Sequence, residues 1–212
     1  MLLYQTVLFD LDGTLIESAP GIFACARAVM QEMCLPPMTD EQLRPMVGPP
    51  LAVCFSDVIG VPAERVSEAV ARYHRLAKTV GLDAIHPYPG ILDLLKRLKE
   101  AGARVCVVTS KVTPTAQAHL VRYGLAPFIA HLWGGIPGGS AEKTFLLQTA
   151  VDALATEKEH LVMVGDRHYD LAAAHVVGIP SIGVLYGYGS KEEIMGCAPT
   201  YTVASVASLS AL

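Results

Sequence analysis

The second part of the chain alternates short apolar segments with amphipathic ones, and this alternation constrains the fold more than any other feature. From residue 86 onward, four apolar segments have the length and composition of strands: 104–109, 129–133, 161–165 and 181–185. Four helices are predicted around them from apolar residues at helical spacing: 91–101, 113–123, 142–154 and 169–177. Strands and helices that alternate in this way form a parallel sheet covered by helices on both faces. We therefore expect a doubly wound α/β fold.

Residues 18 to about 82 break this alternation. They contain helical stretches separated by prolines and glycines, such as Pro36-Pro37 and Gly48-Pro49-Pro50, and no convincing strand. A crossover between parallel strands needs only about a dozen residues, so a segment several times longer is better explained as a separate unit than as a lengthened crossover. We predict an all-helical domain over residues 17–85, inserted after the first strand of an α/β core formed by residues 1–16 and 86–212.

Composition narrows the class of protein. The chain has 212 residues, of which 52% are hydrophobic, and this apolar excess favours a substantial core. A net charge of −4 argues mildly against a nucleic-acid polymer as partner. Because no apolar run is long enough to span a bilayer and no export signal is visible, we expect a cytoplasmic protein without membrane association, monomeric by default. Five scattered cysteines without a Cys-x-x-Cys pair disfavour a zinc site or a disulfide framework.

The first predicted strand ends in two aspartates. Asp10 and Asp12 stand one residue apart, and Gly13 permits a sharp turn just past the edge of the sheet. Two carboxylates at the carboxyl end of a buried strand repel each other, so they require a divalent metal or one carboxylate that works while protonated. A solvated turn is the simpler alternative. A calcium loop is excluded because no third acidic ligand follows in register.

Two further segments are expected to bring polar residues to the same edge. Thr109 ends its predicted strand, where a hydroxyl can hold a phosphate oxygen, although a threonine that only caps the strand fits equally well. Lys143 opens a helix after the Gly-rich run 134–139, and a cation there would bind phosphate and stabilise a carboxylate nucleophile; a surface lysine is the alternative. The run is not a P-loop, because Pro137 and Glu142 stand where that motif requires glycine.

A third strand end carries acids as well. Asp166 follows Gly165 directly, and Asp170 lies four residues further on, on the same side of the first turn of a predicted helix. An acid at a helix N-terminus is also a common capping residue, and this alternative stays open for Asp170.

Taken together, these segments resemble the haloacid dehalogenase superfamily, whose motifs are Asp-x-Asp-x-Thr, then Thr or Ser, then Lys, then Gly-Asp-x-x-x-Asp. Asp10-Leu11-Asp12-Gly13-Thr14 and the segment 165–170 match without a mismatch. Three further segments are similar to the phosphoglycolate phosphatase and 5′-nucleotidase-like branch: 47–51, 108–111 and 182–190. Glu17-Ser18 departs from the Asp-Ser common among relatives, at the hinge of the inserted domain.

The resemblance implies a Mg²⁺-dependent hydrolase of a small phosphomonoester, such as phosphoglycolate or a nucleoside 5′-monophosphate. Asp10 would attack phosphorus and form an aspartyl-phosphate. Asp12 would protonate the leaving oxygen and then take a proton from the water that hydrolyses the intermediate. Thr109 and Lys143 would hold the phosphoryl oxygens.

The expected magnesium ligands are Asp10, the backbone carbonyl of Asp12, and Asp166. Asp170 would act from behind them, orienting a water of the metal or Lys143. The inserted domain would serve as a cap that excludes water and reads the leaving group. Its candidate substrate contacts are Arg44 and the turn at Gly48. A surface arginine and a loop glycine explain these two positions equally well. Roles for Lys111 and the loop 187–190 stay open.

Two other functions stay open. A sugar-phosphate mutase would use the same nucleophile and metal, and a non-catalytic phospho-receiver or interaction protein would also gather acids, threonine and lysine on a doubly wound sheet. Receivers have no long insert after the first strand, and a dehalogenase would not need Asp12. The phosphatase is therefore the favoured interpretation.

Overall fold

The computed structural model describes residues 3–136 and 141–211 and contains eight strands in that part of the chain. Their bounds are β1 (Thr6–Phe9), β2 (Ile16–Glu17), β3 (His86–Pro87), β4 (Arg104–Val112), β5 (His131–Gly135), β6 (Leu161–Gly165), β7 (Ser181–Val184) and β8 (Tyr201–Val203). Six of them form one parallel sheet in the order β5-β4-β1-β6-β7-β8, and β2 pairs with β3 in a separate two-stranded sheet.

The helices of the same described part fall into two groups along the chain. Between the strands β2 and β3 lie α1 (Ala19–Glu32), α2 (Asp40–Leu43), α3 (Leu51–Val53) and α4 (Ala63–Leu76). After β3 come α5 (Ile91–Glu100), α6 (Thr113–Arg122), α7 (Lys143–Leu154), α8 (His168–Val177) and α9 (Lys191–Gly196). None of these helices has both the length and the apolar character that crossing a bilayer would require.

The chain divides into two compact units. One is Glu17–His86, and the other contains the remaining described residues on either side of it. The smaller unit is helical and has a core of its own, built mainly from α1, α4 and the segment that follows α3. Its fully or nearly buried members are Val29, Met33, Phe55, Val61 and Ala69.

The larger unit is organised around β1. All four residues of this strand are buried, as expected for a central parallel strand covered on both faces. The helices α7 and α8 cover one face of the sheet, and their apolar side chains join those of the central strands in one cluster. Its members include Leu8, Cys106, Val108, Leu147, Met163, Ala174 and Val177. Since β1 lies between β4 and β6, the carboxyl ends of these three strands are neighbours.

The predicted doubly wound α/β fold is confirmed, with differences at individual strands. Thr109 was predicted to end its strand, but β4 continues through Val112. The register of its pairing with β5 shifts between Thr109 and Val112, and this bulge allows the strand to continue past Thr109. The strand β5 begins at His131 rather than at 129, because a 3₁₀ turn occupies Ala126–Phe128. The strand β8 was not predicted from the sequence. Residues 137–140 of the predicted Gly-rich loop lie outside the described residues.

Candidate active site

The register of the central strands brings the predicted acids together. Phe9 at the end of β1 pairs with Val107 of β4 and with Val164 of β6, so the residues that follow in each strand meet at one edge of the sheet. At that edge, Asp10, Asp166 and Asp170 offer carboxylate oxygens that all lie within 4.8 Å of one another. The three side chains are buried.

Lys143 lies among these acids, at the first residue of α7. The carboxylate of Glu142 caps this helix by accepting hydrogen bonds from the backbone N–H groups of Thr144 and Phe145, which fixes where the helix begins. The Lys143 ammonium donates to Asp10 Oδ1 at 2.6 Å and to the Val108 carbonyl at 3.1 Å, and it lies 2.8 Å from Asp170 Oδ1. With 6% of its surface exposed, Lys143 is buried among these acids and is not a surface lysine.

Burial and like charge govern the protonation of the acids. Burial raises the pKa of Asp10 to about 7, helped by the neighbouring charge of Asp170 and opposed by the Lys143 ammonium. Burial, followed by repulsion from Asp10 and Asp170, raises the pKa of Asp166 well above its ordinary value. Burial alone would lower the pKa of Lys143, but the charges of Asp10 and Asp170 outweigh it and raise that pKa, so the lysine is charged.

Asp166 is held by two hydrogen bonds from loops at the sheet edge. Thr14 Oγ1 donates to Asp166 Oδ1 at 3.0 Å, and the backbone N–H of Tyr188 donates to Oδ2 at 2.8 Å. The carbonyl of Thr14 accepts a hydrogen bond from the Tyr186 hydroxyl, which ties the two loops together. A Cβ on Gly187 would lie 2.3 Å from Asp166 Cβ, so a residue with a side chain would displace the carboxylate. The loop 187–190, whose role the sequence left open, therefore helps to seat Asp166.

Asp170 lies on the first turn of α8 and has two kinds of contact. Its Oδ2 accepts a hydrogen bond from the backbone N–H of Arg167, which is the capping interaction that the sequence left open. Its Oδ1 faces Lys143. The capping and site interpretations are therefore compatible, since each uses a different oxygen of the same carboxylate.

Asp12 and Thr109 lie on the β4 side of the site. Asp12 Oδ1 accepts a hydrogen bond from Lys111 Nζ at 2.7 Å. The Thr109 hydroxyl is buried and accepts a hydrogen bond from the backbone N–H of Lys111 at 3.2 Å, so it supports the bulge of β4. That hydroxyl keeps a proton to donate, which a phosphoryl oxygen would accept.

The two candidate substrate contacts belong to the helical unit. Arg44 is exposed and begins a short 3₁₀ turn, Arg44–Met46, while Gly48 has a φ of 112°, which favours glycine. Both positions have the conformational explanations expected of a loop, and their contacts with a substrate stay predictions.

The acidic cluster fits a hard divalent cation. Asp10, Asp166 and Asp170 supply only oxygen, and when ionised they exceed the charge of the single Lys143 ammonium among them by two. Mg²⁺ prefers oxygen ligands, completes its octahedron with water and would neutralise this excess. The buried carboxylates also explain why a cation is needed, since burying unpaired charge is costly.

Sequence reasoning left several contributors without a role. Thr14 belongs to the first motif, but no role was predicted for its side chain. Its hydrogen bond to Asp166 results from the turn that follows β1. Tyr188 contributes a backbone N–H, for which side-chain identity gives no signal. Lys111 and His119 were separated from Asp12 by about a hundred positions, and only the pairing of β1 with β4 brings them near it.

Proteins with similar sequences and structures support the resemblance that the motifs predicted. Residues 7–184 match the family of haloacid dehalogenase-like hydrolases. The chain is 34% identical over 212 residues to a 5′-nucleotidase of Pseudomonas aeruginosa, covering 97% of this chain and 94% of that protein. It is 36% identical over 195 residues to a phosphoglycolate phosphatase of Xanthomonas campestris pv. campestris, covering 89% and 86%.

Two further likenesses extend the comparison. The tyrosine-protein kinase PtkA of Mycobacterium tuberculosis is 35% identical over 191 residues, which cover 90% of this chain and 65% of that one. The crystal structure of a predicted phosphatase from Clostridium acetobutylicum superposes with a TM-score of 0.92 at 34% identity, covering 98% and 97% of the two chains. With its motifs gathered at one edge of the sheet, the chain belongs to the haloacid dehalogenase-like hydrolases.

Proposed function

We propose that the protein is a Mg²⁺-dependent phosphatase that hydrolyses a small phosphomonoester through an aspartyl-phosphate on Asp10. The observation that carries the proposal is the contact of Asp10 with Lys143 beside two further buried carboxylates, Asp166 and Asp170. Such a site combines a nucleophilic oxygen, a cation for the phosphoryl group and oxygen ligands for a metal. The names of two relatives, a 5′-nucleotidase and a phosphoglycolate phosphatase, support the same class of reaction.

Asp10 is the proposed nucleophile. Its Oδ1 is held by the Lys143 ammonium, which fixes the carboxylate against the end of β1. An oxygen of Asp10 would attack phosphorus in line with the leaving oxygen, so that the phosphoryl group passes to the carboxylate as the ester bond breaks. Bound Mg²⁺, held by Asp10, the Asp12 carbonyl and Asp166, would offset the negative charge of the nucleophile and the phosphoryl group.

Asp12 is the proposed acid and base. In the first step its carboxyl group would give a proton to the departing alkoxide, and in the second it would take a proton from the water that hydrolyses the aspartyl-phosphate. One residue that alternates between these states explains why two acids follow β1. Its Oδ1 accepts a hydrogen bond from Lys111 Nζ at 2.7 Å.

Thr109 and Lys143 are proposed to hold the transferring group. The Thr109 hydroxyl and the Lys143 ammonium would donate to phosphoryl oxygens as negative charge develops on them. Asp170 would keep Lys143 in place, because it contacts that ammonium from the side of α8. These groups are buried, so each interaction acts in an environment with little water.

The leaving group is proposed to be small and to be read by residues 17–85, acting as a cap, with Arg44 and Gly48 as its contacts. Phosphoglycolate and nucleoside 5′-monophosphates are the candidate substrates, supported by the names of the relatives. A monomer in the cytoplasm, with no nucleic-acid polymer as partner, completes the proposal. The main rival is a sugar-phosphate mutase, which would use the same nucleophile.

A panel of phosphomonoesters tests the proposal. It contains phosphoglycolate, several nucleoside 5′-monophosphates and hexose phosphates, each assayed for phosphate release with Mg²⁺ or with EDTA. We expect release that needs Mg²⁺, that is lost in Asp10→Asn and that is kept in Asp152→Asn, a control at an exposed acid of α7. If hexose 1-phosphate were converted to hexose 6-phosphate without phosphate release, the mutase would replace the phosphatase. No turnover of any ester would contradict both.

A further inference from the structure

Lys111 and His119 form a buried arrangement behind Asp12 that the reaction described above leaves without a role. Lys111 Nζ lies 2.7 Å from Asp12 Oδ1 and 3.1 Å from His119 Nδ1. The side chains of Lys111 and Asp12 are only 13% and 12% exposed, and His119 is 5% exposed. All three residues belong to the α/β unit.

The chemistry of these groups fixes the direction of the hydrogen bonds. A lysine ammonium only donates, so His119 Nδ1 must be the acceptor, which requires a neutral ring with its proton on Nε2. Burial, followed by the charge of Lys111, lowers the pKa of His119 to about 4 despite the opposing charge of Asp12, and this keeps the ring neutral. Lys111 therefore donates to the neutral His119 ring on one side and to the Asp12 side chain on the other.

The backbone places Lys111 for this contact. The register shift of β4 lies between Thr109 and Val112, and a bulge re-aims the side chains beside it. The Thr109 hydroxyl accepts from the Lys111 backbone N–H at 3.2 Å and so ties down the bulged residue. His119 follows on α6, where it is packed edge-on against the ring of Tyr123 at 5.6 Å between centroids.

We propose that Lys111, held by His119, is a positioning residue that fixes the orientation of the Asp12 carboxylate during phosphoryl transfer. The inference rests on the proposed function, in which Asp12 gives and later takes a proton. Proton transfer depends on the position of the carboxylate relative to the leaving oxygen and to the attacking water. An ammonium at 2.7 Å from Oδ1 restrains the rotation of that carboxylate. Lys111 itself neither exchanges a proton nor touches the substrate.

A double-mutant cycle tests this proposal in the full-length protein with Mg²⁺. Lys111→Met keeps the length of the side chain but removes its charge and donors. We expect kcat to fall about tenfold to a hundredfold with KM nearly unchanged, which is at or below the lower end of the roughly 10²–10⁴-fold that acid–base catalysis contributes, because Asp12 itself remains. In the background of Asp12→Asn the same substitution should change kcat less than about threefold, because residues that act as a unit are not additive. Lys99→Met removes an exposed lysine on α5 and should leave both constants unchanged.

His119 provides the second arm of the test. His119→Leu removes the acceptor and should lower kcat in the same direction as Lys111→Met, whereas His119→Asn, which places an amide oxygen near the position of Nδ1, should restore most of it. Thermal unfolding of each variant shows whether it is folded. In addition, ¹⁵N-lysine NMR should show a Lys111 ammonium signal that is slow to exchange in the native chain and is shifted by Asp12→Asn.

The outcomes are distinct. If the native chain turns over an ester and Lys111→Met raises KM with kcat unchanged, Lys111 contacts the substrate and the proposal is overturned. The proposal is also overturned if Lys111→Met lowers kcat by the same factor in the native and the Asp12→Asn backgrounds. It is overturned as well if Asp12→Asn leaves the Lys111 ammonium signal unshifted. Absence of turnover in the native chain would instead contradict the proposed function, and this inference would fall with it.

Discussion

Lys143 Nζ lies 2.6 Å from Asp10 Oδ1 and 2.8 Å from Asp170 Oδ1, so one buried ammonium bridges the end of β1 and the first turn of α8. This contact joins two segments that are 160 positions apart in the chain. It also leaves negative charge in excess among the buried carboxylates, which is the condition under which a divalent cation binds.

Removing the charge of Lys143 should strongly lower the rate of turnover. We expect Lys143→Met to lower kcat/KM by about two to three orders of magnitude, comparable to the loss of one preorganised donor to a developing oxyanion. Lys143→Arg should rescue little, because the planar guanidinium does not match the three acceptors around the ammonium. Steady-state kinetics at saturating Mg²⁺ measure both. Near-native activity of Lys143→Met would contradict the placement of this residue.

Magnesium should stabilise the folded protein. A ligand that binds only the native state adds about 2.7 kcal/mol at a concentration one hundred times its Kd, so the thermal midpoint should rise with Mg²⁺. In Asp166→Asn the rise should disappear. The metal-free variant should be at least as stable as the metal-free native chain, because one of three mutually repelling buried carboxylates is gone. Thermal unfolding with Mg²⁺ and with EDTA measures this; an equal rise in both chains would place the metal elsewhere.

Gly13 should tolerate no side chain. Its φ is 91°, and a Cβ there would lie 2.2 Å from Asp166 Oδ2. Gly102 is a matched control, with a φ of 86° and no heavy atom within 4 Å of an added Cβ. Gly102→Ala should cost about 1–3 kcal/mol of unfolding free energy from backbone strain alone. Gly13→Ala should cost more and should also weaken Mg²⁺ binding, measured by denaturant unfolding and calorimetry. Equal costs and equal Mg²⁺ affinity would show that Asp166 moves aside freely.

Glu193 should make stability depend on acid pH. Burial alone would raise its pKa, but hydrogen bonds from the His168 backbone N–H and from the side chains of Arg167 and His168 lower it to about 2, from an ordinary value of 4.5. The unfolded chain therefore takes up the proton first, so the contribution is complete above pH 4.5 and is lost as pH falls toward about 2.

The expected size is about 1–2 kcal/mol after allowing for solvent screening, since the side chain is partly exposed. At pH 7 the free energy of unfolding of the native protein, measured in urea, should exceed that of Glu193→Gln by this amount. The difference between the two should disappear as the pH falls from 4.5 to 2. Glu100→Gln, at an exposed acid of α5, should differ from native by less than about 0.5 kcal/mol at any pH. A gap that is independent of pH would show that Glu193 acts through packing.

The parallel sheet was predictable because its central strands are continuous apolar runs that end in Asp10, at Gly165 and near Thr109. The continuation of β4 to Val112 was not, since a bulge depends on the pairing with β5 rather than on composition. The strand β8 has three residues, of which Tyr201 and Thr202 are exposed, so neither alternation nor a buried run marks it.

The residues of the candidate site also divide into those that the sequence could place and those that it could not. Side chains within contiguous motifs, such as Asp166 and Asp170, could be placed at the sheet edge from the order of strands. The contact of Lys111 with Asp12 spans 99 positions, and it needs the β1–β4 register to exist before it can be seen. The hydrogen bond from Tyr188 uses the backbone, which every residue except proline carries. The catalytic roles themselves stay predictions.

The aspartyl-phosphate is the central claim, and trapping it is the most direct test. With a ³²P-labelled aryl phosphate, whose phenolate departs without a proton from Asp12, the variant Asp12→Asn should form the intermediate but hydrolyse it slowly, so acid quenching after mixing with this ester and Mg²⁺ should leave label on the protein. We predict that the label is released by hydroxylamine, maps to the peptide containing Asp10 and is absent in Asp10→Asn with Asp12→Asn. Label on another residue, or none in a folded variant whose native parent hydrolyses the ester, would contradict the account.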